Sequence, residues 1–420
     1  IFDNPKGEVS IENSHLKVVD QQEKGGEITI TGQLVNLRGN NTILANGNNG
    51  GGIVQIGGSW QNNNPNIAQS NITFVGENTL IDASANLYGN GGEIVIWSDV
   101  SNSKGKTTVN GSLIAKGGYH GGSGGKIETS GYSLEVNPKY LDISSFSDMP
   151  GEWLIDPYNI YITSESNQND IQFDNYQFVF ESSESSSTIF VDDLLDVIQT
   201  GNVNIITGLG NLGEGGNIFW GENSDLDYSQ YPYTLNLEAS GFIELNSNIY
   251  SGSGGLTLKA HSGYLQAKQG IDFYLGGPLN IYTGDTRLDF FDPSFPRFAA
   301  TIIGPGDIIK NGPGSLILSS YQSVDIPWSG SVNHNEGEIY LEGGWINLIE
   351  KINLNGGILS SASLIPSYNN PPIDINSSEI TFDENIEAAS VVAILNSSDV
   401  DDEDSHTYVL VDGDGDIDND

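Results

Sequence analysis

A pair of glycines followed by a short alternating strand recurs along this chain, and it limits the fold more than any other feature. Gly25-Gly26-Glu27-Ile28-Thr29-Ile30, Gly51-Gly52-Ile53-Val54-Gln55-Ile56 and Gly91-Gly92-Glu93-Ile94-Val95-Ile96 share it, as does Gly124-Gly125-Lys126-Ile127-Glu128-Thr129. Apolar and polar residues alternate with the period of a half-buried strand, and helical spacing is absent from these stretches. A second type of strand lies between the copies, at Thr42-Ile43-Leu44-Ala45, Thr79-Leu80-Ile81-Asp82-Ala83 and Leu113-Ile114-Ala115. Later copies stand at Gly215-Gly216-Asn217-Ile218, Gly254-Gly255-Leu256-Thr257-Leu258 and Gly337-Glu338-Ile339-Tyr340-Leu341. A coil of about 20 residues with two or three short strands fits this irregular spacing. Stacked coils bury their inward Ile, Leu and Val in one continuous core. The expected architecture is all-β, a parallel β-helix.

Composition narrows the function. The chain has 420 residues, 53 of them glycine, and its formal charge of −40 comes from 55 acidic against 15 basic residues. Such a surface repels nucleic acid and anionic lipid and suits solubility or divalent cations. Without cysteine there is no disulfide scaffold and no thiolate metal site. No apolar run approaches 18 residues, so membrane insertion is not expected. The chain begins at Ile1, with neither methionine nor signal peptide, and a fragment of a longer protein is expected.

Four blocks between Gly91 and Ile162 carry a family resemblance. They are Gly91-Gly92-Glu93-Ile94-Val95-Ile96-Trp97-Ser98, Gly111-Ser112-Leu113-Ile114-Ala115-Lys116-Gly117-Gly118, Gly124-Gly125-Lys126-Ile127-Glu128-Thr129-Ser130-Gly131 and Gly151-Glu152-Trp153-Leu154-Ile155-Asp156-Pro157. In this order they resemble the filamentous-haemagglutinin and high-molecular-weight adhesin exoproteins, the secreted partners of two-partner secretion. The resemblance implies a right-handed parallel β-helix over residues 1–364, passed through an outer-membrane secretion pore and displayed at the bacterial cell surface. The family's N-terminal secretion domain is absent from this sequence.

The repeat pattern fades near Ser360. Residues 365–372, Ile365-Pro366-Ser367-Tyr368-Asn369-Asn370-Pro371-Pro372, read as a stiff extended linker. Residues 373–420 then change pattern, with Ile380-x-Phe382-x-Glu384-Asn385, Asp399-x-Asp401 and Tyr408-x-Leu410. This stretch resembles the first half of a bacterial cadherin-like repeat, a β-sandwich. Hard oxygen donors at i and i+2 of an extended turn suit Ca²⁺. The resemblance makes Glu384, Asp399 and Asp401 the candidate calcium ligands. The linker offers Asn369 and Asn370 where cadherins have an acidic motif, and solvated surface acid is the alternative for all three carboxylates.

Other motifs have simpler readings. Gly121-Gly122-Ser123-Gly124-Gly125 matches the text of a nucleophile elbow, yet a strand follows where a helix is needed. Gly208-Leu209-Gly210-Asn211-Leu212-Gly213 lacks the helix a dinucleotide fold requires. Asp82, Glu93 and Glu128 fall on alternating outward positions and read as a solvated face. Val191 to Gln199 has helical spacing, with Gly201 to stop it, and is expected to seal an edge of the solenoid. Residues 286–330, with five prolines, suit a loop excursion or looser coils. Sequons stand at Asn40, Asn71, Asn110, Asn376 and Asn396, and most such matches in an Asn-rich chain are chance.

The expected function is a non-catalytic surface exoprotein, an adhesin or stalk whose partner is a cell-surface receptor or glycan. A carbohydrate-active β-helix enzyme, lyase or glycosidase, is the alternative. Three or more carboxylates converging on a groove with Lys or Arg would favour the enzyme.

Overall fold

The computed structural model describes residues 1–164, 187–208, 216–284, 297–320 and 326–361, and the backbone of two further strands. Two compact units result, Ile1–Ser360 and Ser361–Asp420.

The first unit is a parallel β-solenoid with three walls. Strands entered through the glycine corners form the first wall, where Ile28, Val54, Ile94, Ile127 and Trp153 are successive register partners. The same column continues through Val203, Leu235, Leu256, Leu279, Ile308 and Val332. All eleven are buried, as the alternation requires. The second strand type makes the third wall, from His15–Lys17 through Asn41–Leu44, Thr79–Asp82 and Ser112–Ile114 to Tyr140–Asp142. The second wall follows the first wall in each coil, as in Ile72–Val75, Lys106–Val109 and Ser133–Val136. One hydrophobic cluster runs from Ile11 to Leu348. Its fully buried part ends at Leu348; Ile352 and Leu359 pack against it partly buried, and Ile358 is 64% exposed.

Why glycine stands at the corner is a matter of contact distance. The N–H of Gly92 donates to Ala83 O at 2.8 Å, and Glu93 N–H donates to Gly52 O at 2.9 Å. A Cβ on Gly92 would stand 2.0 Å from that Gly52 oxygen, and one on Gly51 1.9 Å from Ala83 O. Backbones meet here with no room for a side chain.

Coil length varies more than the expected 20 residues. Val332 pairs with Ile352, 20 residues on, whereas Trp153 pairs with Val203, 50 residues on. The longer coil holds the additional strand Ser187–Phe190 and the helix Val191–Ile198, and the inward column keeps its register across it.

One excursion changes the order of strands. Along the second wall Ser133–Val136 is followed by Ser187–Phe190, and only then by Ile160–Thr163 and Ile218–Trp220. The chain therefore steps back and inserts a later strand beneath an earlier one. The helix Val191–Ile198 follows immediately, with Val191, Leu194, Val197 and Ile198 buried. It was expected to seal an edge of the solenoid. Instead it lies mid-stack against Tyr140–Asp142 and Leu226–Asp227, filling the third wall where one strand would be. Eight helical residues rise about 12 Å, close to the reach of a four-residue strand at about 3.3 Å per residue. Asp192 and Asp193 in its first turn face the positive end of the helix dipole.

The proline-rich stretch resolves into coils where it is described. Thr301–Ile303 and Ile308–Asn311 join the third and first walls in register. Trp328 and Trp345 close that end of the core edge to face, their ring centroids 5.5 Å apart. In the second unit Asp374–Ser377 pairs antiparallel with Leu395–Ser398. Among the described residues no helix is long and apolar enough to cross a membrane.

Candidate functional site

The outer side of the first wall departs most from what alternation predicts. Ile94, Ile127 and Trp153 point inward, so Val95, Glu128, Leu154 and Asp156 point outward, where water is expected. Val95, Glu128 and Leu154 are nevertheless buried. The cover includes residues 57–69, a segment between the strands Ile53–Ile56 and Ile72–Val75. It lies across later coils rather than its own. The backbone N–H of Gln61 donates to Glu128 Oε2 at 2.8 Å. Trp97 Nε1 donates to Gln69 Oε1 at 3.0 Å, and Lys126 Nζ sits 4.0 Å from the centre of the Trp60 ring. Gln61 and Asn62 take left-handed backbone angles, φ 44° and 52°, to turn the segment down.

Glu128 is fully buried beneath the cover, and a second outward carboxyl, Asp156, lies half-buried on the next strand. Burial pushes the Glu128 carboxyl up to about 8, against hydrogen bonds from Gln61 N–H and Ser130 Oγ; the charges of Asp156 and Glu93 raise it further. Burial alone pushes Asp156 up to about 7. Its Oδ1 has no hydrogen-bond partner. Asp156 is the cross-strand neighbour of Ser130, which donates to Glu128 Oε1 at 2.9 Å. Glu128 is therefore not the solvated surface acid its position in the alternation suggests.

Two carboxyls raised toward neutrality can exchange protons with a bound substrate in some hydrolases and lyases. Access decides whether they can do so here. The neighbouring groove, about 690 Å³ along the glycine corners, is lined by Lys24, Glu27, Glu93, Lys126 and Glu152, but by neither Glu128 nor Asp156. Glu128 holds the loop in place through Gln61, and neither acid lines this groove. Comparison with protein-family models and with curated proteins finds no match.

The groove has the residue types named above for an enzyme, in a different arrangement. Lys126 is the register partner of both Glu93 and Glu152, and its Nζ lies 2.9 Å from Glu93 Oε2. Asn204 Nδ2 reaches Glu152 Oε2 at 3.4 Å. The charges alternate along a column and pair with their neighbours, so they do not converge on one point.

The remaining sequence candidates fall as follows. Glu384, Asp399 and Asp401 lie outside the described residues, as do residues 209–213 of the second glycine motif. Among the described residues no three His, Asp or Glu side chains cluster as a metal site. Ser123 sits in a corner loop, where its N–H donates to Asn90 Oδ1 at 3.0 Å and the strand Lys126–Gly131 follows. Asp82 is half-buried and accepts from Ser84 N–H at 2.9 Å.

Sequence reasoning missed one polar pair inside the core. Lys310 and His334 are register partners on the inward side of the first wall, both fully buried. Lys310 Nζ donates to the carbonyls of Asn311, Gly312 and Glu336 at 2.7, 2.9 and 3.2 Å. The signal was present in the alternation, since Lys310 follows the inward Ile308 by two.

Proposed function

We propose that this chain is a non-catalytic bacterial surface exoprotein, a right-handed β-helical stalk with an adhesive flank that serves attachment. The observation that carries the reading is the single core from Ile11 to Leu348, closed by stacked coils. Such a stack gives length and side surface without a central pocket. Glu128, the fully buried acid on its flank, is occupied in pinning residues 57–69. Nearest-neighbour stacking also lets coils fold one after another, which suits export of an unfolded chain through an outer-membrane pore. A receptor or glycan on a cell surface is the proposed partner. The cadherin-like continuation is proposed to take Ca²⁺ through Glu384, Asp399 and Asp401.

The second reading, a carbohydrate-active enzyme, is favoured by the Glu128 and Asp156 pair alone and requires the cover to open. One experiment separates the two. Beads carrying the whole chain are scored for retention on bacterial and animal cells, and the soluble chain is assayed for new reducing or unsaturated sugar ends on polysaccharides. The stalk reading expects retention that survives Glu128→Gln, with no sugar released. Sugar release abolished by Glu128→Gln, with no retention, would replace it with the enzyme.

A further inference from the structure

On the third-wall side, the solenoid leaves a run of aromatic rings open to solvent. Tyr88, Tyr119 and Phe146 are 53%, 60% and 71% exposed, and they belong to corner loops of successive coils. His120 links them, with ring centroids 5.2 Å from Tyr88 and 4.9 Å from Tyr119. Tyr119 in turn lies 5.0 Å from Phe146. Rings packed on each other in water, with no apolar cover, are unusual on a folded surface. Beside them is a pocket of about 450 Å³ that Tyr119 and Phe146 share with Asn46, Asp82, Lys116 and Ser145. That volume falls within the range of small-molecule sites.

We infer that this pocket is a binding site for a neutral pyranose, a sugar unit of a surface glycan. The inference rests on the adhesive reading above and names its ligand class. A pyranose has an apolar C–H face and a rim of hydroxyls, and the pocket offers both partners. Tyr119 and Phe146 present ring surface to the face. Asp82 uses one oxygen on Ser84 N–H, leaving the second for a hydroxyl, and Asn46 supplies an amide.

Charge selects a neutral sugar. Lys116 is the pocket's only lining cation and already lies 3.7 Å from Asp142 Oδ2. With Asp82 in the lining and a chain charge of −40, a carboxylated or sulfated sugar is repelled. A peptide fits less well. The strand Ser112–Ile114 beneath the pocket is paired on both sides, with Thr79–Asp82 and Tyr140–Asp142, so it has no free edge to which a peptide strand could add.

The test is saturation-transfer difference NMR on the whole chain with lactose, cellotriose, chitotriose and mannotriose. Saturation should reach the C–H protons of one ring face in at least one of them. Tyr119→Ala should weaken that binding about tenfold or more, as loss of a stacking ring does, while Tyr119→Phe retains it and Asp82→Asn weakens it. An unchanged thermal melt shows that the variants are folded, as expected for so exposed a side chain. No transfer from any of the four sugars, or equal transfer in Tyr119→Ala, overturns the inference. So does self-association, or binding of an apolar peptide, that is lost in Tyr119→Ala without any sugar signal. The bead assay keeps the two readings apart. Retention on cells that ignores Tyr119→Ala and free sugar refutes this site only. Sugar binding without retention on cells refutes the adhesive function and leaves the site standing.

Discussion

Glu128 Oε2 accepts a hydrogen bond from the backbone N–H of Gln61 across 67 residues of chain. Gln61 belongs to a loop that leaves the first wall after Ile56, and Glu128 stands on the second strand beyond, with Glu93–Trp97 between them. One carboxylate thus ties three coils together on the outside, where stacked strands alone would only tie neighbours. The left-handed backbone at Gln61 costs roughly 1–2 kcal/mol, which contacts at Glu128 and around Trp60 must offset.

The first prediction concerns pH. Burial holds Glu128 at about 8 and Asp156 at about 7, both above their unfolded values. Between the unfolded and folded values the folded protein binds more protons, so stability falls as pH rises. The contribution is complete below about pH 4 and lost above about pH 8. Amide exchange at Gln61 and protease cleavage within residues 57–69 should speed up from pH 6 to pH 9 by more than the intrinsic chemistry does. Glu128→Gln keeps an acceptor for Gln61 and cannot ionise, so its profile should be flatter. Equal profiles for the two proteins would remove Glu128 from the control of the loop.

The second concerns the corner. Gly92→Ala places a methyl 2.0 Å from the Gly52 carbonyl oxygen. The coil must shift to accept it, at a cost of about 3 kcal/mol or more. Urea unfolding of Gly92→Ala should have a clearly lower midpoint than wild type. Tyr88→Ala, on an exposed loop of the same corner, should unfold within about 0.5 kcal/mol of wild type. A Gly92→Ala midpoint matching wild type would show that the corners are not close-packed.

The third concerns the core cation. Burial pushes Lys310 down to about 8, and burial with the charge of Lys310 pushes His334 down as well. The unfolded chain then binds more protons than the folded one, so these coils gain stability as pH rises through about 8 and lose it as pH falls. Lys310→Met removes that dependence but strands three carbonyls, a loss of about 1–3 kcal/mol. The difference between Lys310→Met and wild type, read by urea unfolding, should be smaller at pH 6 than at pH 9. Equal differences at pH 6 and pH 9 would mean that Lys310 stays charged and well satisfied throughout.

The fourth concerns calcium in residues 373–420. If Glu384, Asp399 and Asp401 take Ca²⁺, proteolysis of an intact cadherin-like repeat should slow with calcium and recover with chelator. The double variant Asp399→Asn, Asp401→Asn should be cut at the chelator rate in both conditions. Identical cleavage in all samples would leave these acids as solvated surface.

Much of the solenoid is legible in the residues. Ile28, Val54, Ile94 and Ile127 each follow a glycine corner at the same offset, and each is buried in one column. The helix at Val191–Ile198 is equally legible, because its apolar residues fall on one face. Its place mid-stack was not. That place follows from Ser187–Phe190 pairing beneath Ile160–Thr163, a long-range choice that no local pattern records. Alternation correctly sent Glu128 outward and said nothing of the loop that covers it.

Sequence by itself determined the period-2 strands, the glycine corners and so the parallel stack, because each depends on residues close in the chain. Side-chain parity and the lack of a Cβ are local facts, and repetition makes them cumulative. Only the tertiary structure decided which outward residues stay wet. Glu128 loses water because chain from an earlier coil arrives above it, whereas Tyr119 and Phe146 keep it because nothing among the described residues covers them. Burial is a property of what comes to lie on top, and that is set by contacts tens of residues apart.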